Sequence, residues 1–148
     1  MSAVLRNVDV DPHAPLATWP YEALVTMVER GSVTEWSRLA AEVFAEPWGP
    51  VARQLEEYLS YARPYGVAPL LERAIARARA EQARGEREIV AAEVDALLRR
   101  SGLTTAALAR RLGTSGSRLS TYRTGRVTPS AAFMVRLREH VERVAPTS

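Results

Sequence analysis

The 148-residue chain has no cysteine, no lysine and only two histidines. It also lacks the run of about 18 or more apolar residues that a membrane-spanning helix needs. Without cysteine there is neither a disulfide nor a thiolate metal site. His13 lies in a stretch of no clear period, and His140 sits among charged neighbours. Neither has paired acidic ligands nearby, so no metal and no other cofactor is expected. The first residues show no basic-then-apolar leader, which makes the cytoplasm the expected location. Ser115, Ser117 and Ser120 have no neighbouring histidine to activate them, and no glycine-rich loop follows a strand pattern. No catalytic residue is therefore expected, and an enzyme is the least expected class.

All twenty basic residues are arginine, and they are unevenly spread. Residues 1–85 carry nine arginines against eleven acids, or −2; residues 86–148 carry eleven against six, or +5. From Ala96 to Arg138 there are nine arginines and no acid. The planar guanidinium can bond a phosphate at two points, and a long basic run suits a surface facing a nucleic-acid backbone. The two halves are expected to have different tasks.

The first 17 residues read as a loose arm. Thr18-Trp19-Pro20 reads as a helix start capped by Thr18, followed by a stripe of Tyr21, Leu24, Val25 and Val28 that Gly31 closes. Ser32-Val33-Thr34-Glu35 is a capping box ahead of Trp36, Leu39, Ala40, Val43 and Phe44. Gly49-Pro50 opens a third helix and Pro69 a fourth. Eight of the ten aromatic residues fall between Trp19 and Tyr65, enough to give residues 18–85 a core of their own. The charged stretch Arg77–Glu88 reads as the solvated middle of one long, continuous or slightly kinked helix into residues 86–148, with Gly85 as the point where it could break.

The most informative stretch is Gly102–Ser130. Thr104 is placed to cap a short helix with Leu108, Ala109 and Leu112 on one face, and Gly113 ends it. Thr114 and Ser115 offer the next cap, Leu119 and Tyr122 the next inner face, and Gly125 the next stop; Pro129-Ser130 opens a final helix with Phe133, Met134, Leu137 and Val141. Two short helices joined by a glycine-led turn form a helix-turn-helix. The presented helix, Ser115–Arg123, turns Gly116, Ser117, Arg118, Ser120 and Thr121 outward, short groups suited to close approach in a major groove.

On Gly102-Leu103-Thr104, Leu108-Ala109, Leu112-Gly113, Ser115, Leu119, Gly125 and Pro129-Ser130, the segment from about Glu88 to Val144 resembles the Xre/Cro-type, lambda-repressor-like DNA-binding domain. The resemblance implies base contacts from Gly116, Ser117, Ser120 and Thr121, and phosphate contacts from Thr105, Arg118 and Arg126. Such domains often pair a Glu of the second helix-turn-helix element with an Arg of the first helix. Arg123 and Leu98 stand there in this chain, so Arg123 is expected to be free for phosphate as well. Only one helical stretch follows Pro129, where the family usually has two.

The expected architecture is all-α: an N-terminal domain of about four helices, joined by a long helix to a lambda-repressor-like helix-turn-helix domain at 86–148. The expected function is a transcriptional regulator, a repressor binding double-stranded DNA as a homodimer on a pseudo-palindromic operator. The alternative is an antitoxin-like interaction protein whose N-terminal helices bind a partner protein while the C-terminal domain autoregulates its operon.

Overall fold

The computed structural model describes residues 9–144, and among them it is helical throughout with no strand. Its helices are α1 (Tyr21–Arg30), α2 (Val33–Ala45), α3 (Pro50–Tyr61), α4 (Val67–Ser101), α5 (Thr105–Arg111), α6 (Gly116–Thr124) and α7 (Ala131–Val144). The chain divides into two compact units between Gln82 and Ala83.

In the first unit the expected arm begins outside the described residues, but it does not extend to residue 17. Val10 and Ala14 pack against the core and Leu16 is part of it. The Ala14 carbonyl accepts from both Trp19 Nε1 and Arg38 Nη2, each at 3.1 Å, and the Arg38 guanidinium lies 4.8 Å over the Trp19 ring. Thr18 does not cap α1. It closes a short 3-10 turn, its hydroxyl donating to the Pro15 carbonyl at 2.7 Å, and α1 starts after Pro20.

Gly31 ends α1 for a steric reason. Its N–H reaches the Met27 carbonyl at 3.1 Å, and a side-chain carbon there would fall 2.1 Å from that oxygen. Ser32 then starts α2, its N–H donating to the Glu35 carboxylate at 2.8 Å as the capping box requires. Leu24, Met27, Leu39, Leu55 and Leu71 are fully buried and draw α1 to α4 together. Tyr58 donates its hydroxyl to Glu29 at 2.8 Å, tying α3 to α1, and burial together with that bond pushes its phenol up to about 12. The fourth helix begins at Val67, two residues ahead of Pro69, because a proline is tolerated in the first turn where its missing N–H has no partner to lose.

No break occurs at Gly85: α4 runs unbroken through the charged stretch. A glycine within a helix forfeits backbone entropy and gains no packing, a cost near 1 kcal/mol relative to alanine. Nothing lies within 4 Å of a carbon added at Gly85. Gly85→Ala is therefore expected to raise stability by up to about 1 kcal/mol, read as a higher urea midpoint at unchanged slope. A lower midpoint would show that this position needs its glycine.

Candidate nucleic-acid interface

The second unit is built around two helices too short to persist alone. Thr104 caps α5, its hydroxyl accepting from Ala107 N at 3.1 Å, and Ser115 caps α6 in the same way from Arg118 N, also at 3.1 Å. The turn between them uses the left-handed conformation of Gly113, φ 73°, while Thr114 N bonds back to the Ala109 carbonyl at 3.0 Å. Leu108, Ala109, Leu119, Val94, Leu137 and Val141 have no exposed surface, so α4, α5, α6 and α7 share one core. Tyr122 and Phe133 close it, with ring centroids 5.1 Å apart.

Gly125 ends α6 at φ 81°. A carbon added to it would touch Ala91 Cβ at 3.5 Å and the Arg87 carbonyl at 3.8 Å. This glycine therefore sets both the helix stop and the seat of the following loop on α4.

With that side of α6 buried, its other side is open. Ser117, Arg118 and Ser120 are exposed. Thr121 is half-buried and donates its hydroxyl to the Arg118 carbonyl at 2.6 Å, which leaves its oxygen lone pairs as acceptors. Gly116 is half-buried against α5, where an added carbon would lie 3.6 Å from Ala106 Cα. Thr105 is half-buried in the first turn of α5. Arg126 is exposed in the loop after α6, held there by its backbone N–H on the Thr121 carbonyl at 3.0 Å.

Arg123 departs from the expectation that it is free. Its Nε donates to Asp95 Oδ1 at 2.5 Å, and the other oxygen of Asp95 accepts from Arg99 Nε at 3.0 Å. An ion pair thus fastens α6 to α4, with its α4 partner one turn earlier than Leu98. Asp95 lies one residue outside the acid-free run that begins at Ala96. The signal that could have found it is its spacing of three from Leu98, which puts both on the same face of α4.

Arg138 is likewise committed, to Glu93, and that guanidinium holds the Glu93 carboxyl below the usual carboxylate range. Arg100, Arg110, Arg111, Arg118 and Arg126 are exposed and have no ion pair among the described residues. They are the groups with charge to offer a polyanion.

Residues 76–143, from the first third of α4 nearly to the end of α7, match the family model described as a helix-turn-helix domain. No curated protein and no solved structure matches the chain. The C-terminal unit is a helix-turn-helix domain in both pattern and architecture, and no described helix is long and apolar enough to cross a membrane.

Two variants probe what fixes α6. Gly125→Ala forces a side chain into the left-handed region and is expected to cost about 1–2 kcal/mol, seen as a lower urea midpoint. Asp95→Asn removes a partly exposed ion pair and is expected to cost about 1 kcal/mol at low salt, with the difference shrinking as salt is added. Equal stability of Asp95→Asn and the natural protein at low salt would show that the pair holds nothing.

Proposed function

We propose that the chain is a sequence-specific DNA-binding transcriptional regulator, a repressor that sits as a homodimer on a pseudo-palindromic operator. The observation that carries this reading is the open edge of α6: short polar groups along it, and exposed arginines without ion pairs around it. Short side chains let a helix backbone come close to the base edges of the major groove.

In this reading Ser117, Ser120 and Thr121 meet base edges, and Gly116 contributes backbone rather than a side chain. Thr105, Arg118 and Arg126 meet phosphates on either side. Arg123 is left out of the phosphate set because Asp95 holds it; it positions α6 instead. A single helix of nine residues spans only a few base pairs. Useful discrimination against a genome therefore calls for two copies reading half-sites about 34 Å apart, which an inverted repeat supplies. A dimer seated on a promoter represses by occupying it.

Phosphate and base contacts predict different mutant behaviour. Arg118→Ala and Arg126→Ala are expected to weaken binding to every duplex and to lower the slope of log K against log salt by about 1 each. Ser117→Ala and Thr121→Val are expected to leave that slope alone and change which sequences are preferred. Site selection from random duplexes with the full chain, followed by salt titration of each variant, reads both. An altered preference in Arg126→Ala would overturn the assignment. Selected sites without two-fold symmetry would overturn the homodimer.

A further inference from the structure

The first unit contributes nothing to the contacts just assigned, yet it displays a groove of about 480 Å³ between α2 and α4. Ala40, Phe44, Leu70, Arg73, Ala74 and Arg77 line it. Phe44 is 61% exposed and Leu70 47%, while the two alanines between them are half-buried and leave room for a large side chain.

Arg73 and Arg77 stand one turn apart on α4, both exposed. Arg73 donates to the Pro69 carbonyl at 3.3 Å, and neither arginine has an ion pair among the described residues. This is not for want of acids, since residues 1–82 carry eleven against eight arginines. Nearby, Arg63 is paired with Glu72 and Arg79 with Glu56. The fold satisfies the guanidiniums on its α3 side and leaves these two beside an apolar trough.

We propose that this groove docks an acidic amphipathic helix of another protein. A large apolar side chain of that helix seats between Phe44 and Leu70, and carboxylates one turn apart pair with Arg73 and Arg77. Helix-in-groove recognition reads this combination of anchor and flanking charge. A second copy of this chain fits less well, because a two-fold interface through the groove sets the same two guanidiniums against themselves. A nucleic-acid backbone fits less well too, because it would meet an acidic unit and leave Phe44 and Leu70 uncovered. The proposal goes beyond DNA binding and does not depend on it.

The test uses the full chain and two fluorescein-labelled helical peptides. Each has leucines at i, i+4 and i+7; one is flanked by glutamates and the other by lysines at the same positions. The acidic peptide is expected to bind by fluorescence anisotropy, more weakly as salt rises, and the basic one not to bind. Arg73→Glu with Arg77→Glu should lower affinity for the acidic peptide at least tenfold and gain binding of the basic one, a gain that an unfolded variant could not show. Phe44→Ala should weaken the acidic peptide at least tenfold while duplex DNA binding stays unchanged. Failure of the acidic peptide to bind, equal binding of both peptides, or binding indifferent to these substitutions would overturn the proposal. So would conversion of a dimer to monomers by Phe44→Asp in sedimentation, which would give the groove to a second copy.

Discussion

A helix of seven residues does not hold itself together in water, and α5 and α6, at seven and nine residues, depend on what they bury. Leu108, Leu119 and Leu137 are each sealed from solvent, at about 1.5–3 kcal/mol apiece for a large aliphatic side chain. The caps at Thr104 and Ser115 contribute about 1 kcal/mol each. Packing therefore decides that these helices exist, and capping decides where they begin. Everything the open edge of α6 can do follows from this: a short helix keeps one fixed orientation only while its inner leucine is held.

Much of this was legible in the sequence because the informative signals were local. A cap, a left-handed glycine and an apolar stripe at helical spacing each act within a few residues, and Thr104, Ser115, Gly113, Gly125 and the buried leucines are found where those rules put them. The capping box at Ser32 was legible in the same way, whereas the continuity of α4 past Gly85 was not, because a lone glycine is compatible with either a break or an unbroken helix. What escaped was non-local or had a local competitor. Asp95 and Arg123 are 28 residues apart, and only the packing of α6 on α4 brings them together. Thr18 had the chemistry of a cap, but the turn Leu16–Thr18 claimed its hydroxyl first. Residues 10 to 16 show no period because they are fixed by single contacts, Ala14 to Trp19 and Arg38, which a pattern cannot announce. Gly116 was assigned outward, yet it is half-buried against Ala106, because the turn from α5 brings the start of α6 close to it.

Arginine is spent in two ways along the chain. Some are closed into ion pairs: Arg79, Arg123 and Arg138 fasten one helix to another, and Arg63 ties the loop after α3 to α4. Others are exposed with no ion pair among the described residues: Arg118 and Arg126 on and just after α6 in one unit, Arg73 and Arg77 beside the α2–α4 groove in the other. A net charge of +3 describes neither population. The meaning of each arginine lies in whether a carboxylate already holds it, and this the structure shows residue by residue.

Between Ala78 and Ala91, roughly three turns of α4 bury no side chain. In the part of it from Ala80 to Glu86 no residue is buried, whereas the hydrogen bonds beyond Ala78 and Ala91 lie beneath a core. Backbone amides in this stretch can trade their protons with water through brief local openings that leave both leucine clusters intact. Amide exchange is therefore expected to run faster in this part of α4 than beneath either leucine cluster.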